Sequence, residues 1–224
     1  MDTDDVIRSL AASVRPVRTL RPPWVRTFVW ASVAVAYLAV LVLFSSPRAD
    51  LGDRMGDPRF LFEQGAALLT GVGAAAAALA TAIPGYSRRV MLLPVAPMAA
   101  WVGTVAAGAA QEYARDGAGV LAGPFGWACL GAVLSGAAVP AVIMGTLLRR
   151  GAPVTPHLSA ALGALAAAGL GNVGVCIFHP HSSNLVMLVW HCGAVLALTA
   201  LAGVAGGRLL QWPGRGISRL FGGA

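Results

Sequence analysis

Six apolar stretches divide this chain, at approximately 25–45, 61–83, 90–110, 123–147, 157–178 and 184–208. Each is about 20 residues long, the length a helix needs to cross the hydrocarbon of a bilayer. In that medium the backbone must satisfy its own hydrogen bonds, so each stretch is read as a helix. A chain that is 57% hydrophobic and 11% charged, with mean hydropathy +0.73, agrees with this reading. The short connections leave no room for a soluble domain. The expectation is an all-α membrane protein, a six-transmembrane-helix bundle with a short amphipathic N-terminal helix. Its parts are an N-terminal tail (1–24), a membrane domain (25–212) and a C-terminal tail (213–224).

All sixteen basic residues are arginine, and their distribution fixes an expected orientation. Arg8, Arg15, Arg18, Arg21 and Arg26 precede or open the first span. Arg88 and Arg89 lie in the second connection, Arg149 and Arg150 in the fourth, and Arg208, Arg215 and Arg219 near the C-terminus. These twelve share one side. Arg48, Arg54, Arg59 and Arg115 lie on the other, interleaved with Asp50, Asp53, Asp57, Glu63, Glu112 and Asp116. Because basic loops are retained on the cytoplasmic side, both termini are expected there. The net charge of +7 then reflects topology, and no direct nucleic-acid partner is expected. The first span follows a polar tail and has no convincing cleavage site after it, so it reads as an uncleaved anchor. Trp24, Trp30, Trp101, Trp127, Trp190 and Trp212 fall toward span ends, where interfacial anchoring is expected, with membrane lipids as neighbours.

Small residues crowd the spans. Gly71-Val72-Gly73 precedes five alanines, and Gly131, Ser135 and Val139 share a stripe of the fourth span. Such residues let helices approach closely, within one bundle or between two copies as a homodimer. Pro140 should bend the fourth span. No ionisable residue falls at mid-depth, which argues against a transport pathway. No paired-carboxylate, Ser-His-Asp, phosphate-loop or dinucleotide signature is present, so catalysis is not expected.

The tail carries a distinct signal. Thr3 can cap a helix whose first turn holds Asp4 and Asp5, while Val6, Ile7, Leu10 and Val14 line one face. A helix this short is marginal alone in water. It is expected to dock, either on the membrane or bundle or in a groove of a cytoplasmic partner.

Three thiols and three imidazoles converge on the opposite side. Cys129 lies about 9 Å and Cys192 about 12 Å into their spans at 1.5 Å per residue. Cys176 ends the fifth span, His191 adjoins Cys192, and His179 and His181 lie in the connection between the last two spans. Thiolate and imidazole suit soft or borderline metals such as Zn, Cu(I) or Cd, and an oxidising compartment permits a disulfide. A cysteine in an Ala/Gly-rich span also serves as a small hydrophobe. His157, at the other end after Pro156, has an interfacial polar role.

Four short patterns carry a resemblance: Thr3-Asp4-x-x-Ile7-x-x-Leu10, Pro16-Val17-x-x-Leu20, Trp190-His191, and Gly207-Arg208-Leu209-Leu210-x-Trp212. In that order, and with six spans, the chain resembles the NrsF-like integral-membrane anti-sigma factors. The resemblance implies a bacterial inner-membrane protein that holds an extracytoplasmic-function sigma factor at its cytoplasmic face and releases it on stress. It also implies sensing by two periplasmic cysteines, by position Cys129 and Cys176. The expected sigma-binding residues are Thr3, Asp4, Val6, Ile7, Leu10 and Val14. Cys192 is an extra thiol relative to the family, and Gln211 stands where a basic residue is usual. Readings from other classes are a small-molecule or metal-ion transporter and a purely structural membrane partner.

Overall fold

A computed structural model describes residues 2–13, 20–117, 127–151, 153–179 and 183–210. Among these the chain is helical, without strands. Helix α1 (Thr3–Ser13) forms the tail. The first two spans are α2 (Pro23–Ser45) and α4 (Pro58–Ala80), separated by the short α3 (Leu51–Met55). A 3-10 turn (Arg88–Leu92) leads into α5 (Val95–Asp116), followed by α6 (Trp127–Gly151) and α7 (Pro156–Phe178). The last span begins as α8 (Asn184–Val186), widens into a π-helical stretch (Met187–Cys192) and continues as α9 (Gly193–Leu209). Six helical segments are long and apolar enough to cross a membrane.

Several spans begin earlier than their apolar runs because local capping extends them. Pro23, Pro58 and Pro156 sit in first turns, where a missing N–H costs nothing and the fixed φ suits a helix. The Asp57 carboxylate accepts from the Arg59 backbone N–H at 2.9 Å and so caps α4. The N-terminal cap of α1 departs from the sequence expectation. Thr3 is already helical, and the Asp2 carbonyl accepts from the N–H groups of Asp5 and Val6, so the cap lies one residue earlier.

The spans alternate in direction, giving the bundle two chemically different ends. One carries Asp50, Asp53, Asp57, Glu63, Glu112 and Asp116 and is called the acidic end. The other carries Arg26, Arg88, Arg89, Arg149, Arg150 and Arg208 and is called the arginine end.

Helix α7 is the most buried span and packs against α2, α4, α6 and α9. Its glycines make this possible. A Cβ on Gly171 would stand 2.8 Å from the Ala137 backbone nitrogen, and one on Gly71 of α4 would stand 2.9 Å from that of Leu170. Backbones in such contact leave no room for a larger residue, as expected where dispersion replaces the hydrophobic drive between helices. The fourth-span stripe expected to pack is displaced. Gly131 and Val139 are exposed, and α6 buries Val133, Gly136, Ala137, Pro140, Met144 and Leu148 instead. Gly136 sits against Gly171, and its carbonyl is the one the Pro140 nitrogen cannot serve.

Two of the expected interfacial tryptophans belong to the core. Trp30 is 0% and Trp101 is 1% exposed, and the Trp30 indole donates to the Pro140 carbonyl at 3.0 Å. The ring is buried between helices while its N–H finds a carbonyl of α6, as a buried indole usually does. Trp24 and Trp127 are exposed as expected, the Trp127 and Trp190 rings lie 5.3 Å apart, and Trp212 lies outside the described residues.

Candidate functional site

On α7, Asn172 and Cys176 are four residues apart, share one face and are fully buried. The π-helical stretch of the last span presents buried His191 and Cys192. Its extra residue per turn is marked by the Gly193 N–H donating five residues back to the Leu188 carbonyl. Such bulges re-aim side chains and recur at functional sites.

The contacts form a chain. His191 Nδ1 lies 2.7 Å from Asn172 Oδ1. The carboxamide oxygen can only accept, so the imidazole proton is placed on Nδ1 and Nε2 holds the lone pair. The His191 ring lies 6.5 Å from that of His179, with the planes 23° apart. His179 ends α7, its N–H donating to the Val175 carbonyl at 2.8 Å, and its Nε2 lies 3.2 Å from Cys129 Sγ. Burial, assisted by the Arg48 charge, pushes the His179 imidazole below its usual range, so it is neutral at neutral pH. A neutral imidazole beside a thiol can accept its proton or share a metal with it.

Cys176 has different neighbours. Its thiol lies within interaction range of the Gln64 and Asn172 amides and of the Arg48 and Glu63 charges, and Cys192 interacts with it in turn. All three cysteines are free thiols. Spans α6 and α7 are neighbours, as a Cys129–Cys176 bridge would require. Among the described residues no group of three His, Cys, Asp or Glu side chains is placed to hold a metal. His181 and Val14 lie outside the described residues.

A frame of charged groups holds this track. Arg48 is buried, its N–H donating to the Ile177 carbonyl at 3.0 Å and its Nη2 to Asp50 Oδ2 at 2.7 Å. Those guanidinium bonds hold the Asp50 carboxyl down at about 2. Arg59 Nε donates to buried Glu63 at 2.9 Å and its Nη2 to the Thr104 carbonyl at 2.6 Å, in a space that Gly108 leaves open. The Glu112 carboxylate accepts from the Asn184 backbone N–H at 2.8 Å and from Asn184 Nδ2 at 2.6 Å, capping the last span.

Gln64 Nε2 and Oε1, Asn172 Nδ2 and Arg48 Nη1 are buried without a protein hydrogen-bond partner. Polar atoms left this way are costly away from water, so the site favours water or a small polar ligand. Asn172, Gln64 and Arg48 are site residues that the sequence reading does not single out. An amide amid the glycines of a span is the available signal for Asn172.

The second region is the tail. Asp4 and Asp5 occupy the first turn of α1, Thr3 and Asp4 are exposed, and Val6 is half-buried. Ile7 is 58% and Leu10 is 59% exposed.

A family model described as NrsF, negative regulator of sigma F, matches residues 10–212, a stretch that takes in all six spans. No curated protein and no solved structure matches the chain.

Proposed function

This chain belongs to the NrsF family of negative regulators of sigma F, and we propose that it is an anti-sigma factor working from the bacterial inner membrane with both termini in the cytoplasm. It holds an extracytoplasmic-function sigma factor through α1 and releases it when thiol-reactive, metal or oxidative stress reaches the acidic end. It acts by binding and not by catalysis. The carrying observation is the family match across all six spans. The exposed Ile7 and Leu10 on a short helix with an acidic first turn support the docking role. An apolar helix face entering a partner's groove is a common recognition mode.

The geometry suggests how signal and partner communicate. Helix α7 carries Asn172 and Cys176 toward the acidic end. At the arginine end His157 Nδ1 lies 2.8 Å from the Gly203 carbonyl, and a Cβ on Gly206 would meet the Pro156 carbonyl at 2.6 Å. A change in how the thiols and imidazoles pack is transmitted along one rigid element of 23 residues, about 35 Å long. A coupling of about 1–3 kcal/mol between the ends is enough for regulation.

Ile7→Asp with Leu10→Asp tests the docking. Co-purification of the cognate sigma factor from membranes should be lost, and transcription from its promoters should become constitutive, while membrane insertion is unchanged. Retained co-purification would remove α1 as the docking element.

A further inference from the structure

Between α6 and α9, over Gly163 of α7, runs a groove of about 390 Å³ that opens on one side. Val142 and Gly145 of α6 and Ala202 and Leu209 of α9 give it apolar walls, and Arg149 stands at its rim. From Ala141 to Arg149 it follows eight residues of helix, ~12 Å at 1.5 Å each. That is close to the depth of one leaflet's hydrocarbon, half of about 30 Å. The space is open at the middle of the wall, since a Cβ on Gly145 would meet nothing within 4 Å.

We infer that this groove binds one anionic phospholipid, with an acyl chain along Gly145 and Ala202 and the phosphate on Arg149. Arg149 is exposed, and the one hydrogen bond it makes among the described residues runs from Nε to the Leu209 carbonyl at 2.7 Å across the rim. Its Nη nitrogens remain to meet a phosphate, which guanidinium matches with two parallel donors. Arg150 and Arg208 stand at the same end, and among the described residues the spans carry no carboxylate there. An anionic headgroup is therefore favoured over a zwitterionic one, which would bring its own cation into the cluster. A water-soluble protein segment fits this groove poorly, because it would carry unsatisfied backbone groups to hydrocarbon depth. The lipid would brace α6 against α9 beside the hub helix.

The test uses the full chain in nanodiscs of equal phosphatidylglycerol and phosphatidylcholine, extracted in mild detergent and weighed with its retained lipids by native mass spectrometry. The wild type should retain phosphatidylglycerol over phosphatidylcholine by about fivefold, the enrichment one arginine contributes near a membrane surface. Arg149→Gln should bring the ratio to parity. Gly145→Phe should lose one retained lipid whatever its headgroup, and Gly145→Leu provides the same test if the larger residue prevents folding. Absence of enrichment in the wild type, enrichment that survives Arg149→Gln, or an unchanged lipid count on filling the groove overturns the inference. So does a dimer that Gly145→Phe converts to monomer, which would make a second copy the occupant. Retention that appears only on truncation after Leu210 overturns it as well, because the chain's own C-terminal segment would then be the occupant.

Discussion

The two ends of the bundle solve one problem differently. At the acidic end, Arg48 pairs with Asp50 and Arg59 with Glu63, and the Glu112 carboxylate caps the last span through Asn184. At the arginine end, cations and imidazole go to backbone carbonyls: Arg26 to Leu147 at 2.7 Å, Arg149 to Leu209 at 2.7 Å, and His157 to Gly203 at 2.8 Å. The Thr81 and Ser159 hydroxyls lie 2.6 Å apart, and each also has a backbone carbonyl of its own helix within reach. Ion pairs clamp the connections of the acidic end. Carbonyl partners leave positive charge in place at the other, where phosphate headgroups or an acidic partner can meet it. Under the proposed function the signal would reach the clamped end and the sigma factor would be held at the arginine end.

Breaking the clamp should have the largest effect. Arg59→Ala leaves the buried Glu63 carboxylate without its cation and should cost about 3 kcal/mol of stability, as loss of one partner does when the other is buried. Reversible unfolding in mixed micelles would measure it, and a loss below that of any arginine-end variant would erase the contrast. Asn172→Leu should come next, at about 2 kcal/mol, since it strands the buried His191 N–H. It should also disturb stress-induced sigma release, read from a promoter fusion, whereas a purely structural Asn172 would leave induction intact in cells that still insert the protein. Arg149→Gln should cost only about 0.5 kcal/mol because its partner is an exposed carbonyl.

The smallest effect is one of pH. Burial lowers the folded-state affinity of His179 for protons, so the unfolded chain protonates first as pH falls below the ordinary value of 6.5. Above that pH the ring is neutral in both states and contributes no slope. Below it, stability should fall until the folded ring also protonates. His179→Asn should flatten this part of the profile, and an unchanged slope would show that another group carries it.

The span count and the division of charge between two sides are legible because each depends on composition over about 20 residues, which no packing detail can reverse. Membership of the family is legible in the order of four short patterns and is matched over residues 10–212. The core is less so. Trp30 and Trp101 sit near span ends like any interfacial tryptophan, and only the position of Pro140 on α6 shows why Trp30 turns inward. The packing face of α6 is not legible, because small residues occur all around that helix. The stripe that is used, through Gly136, is set by where the backbone of α7 arrives at Gly171.

The candidate site divides along the same line. That thiols and imidazoles gather near one end follows from their distance to span boundaries, which a constant helical rise converts into depth. Which of them touch does not follow, because depth says nothing about rotation around each helix axis. The contact of Cys129 with His179, the placing of Cys176 beside Gln64, Asn172 and Cys192, and the π-helical turn that brings His191 onto Asn172 are settled by how six helices rotate to fit their glycines together. The sequence alone determined a bilayer protein with a charged asymmetry and a short amphipathic tail, since those are properties of one segment at a time. The buried polar track was decided only when segments met, since a hydrogen bond between helices depends on both partners' azimuth and on close approach, and neither is written in a single run of residues.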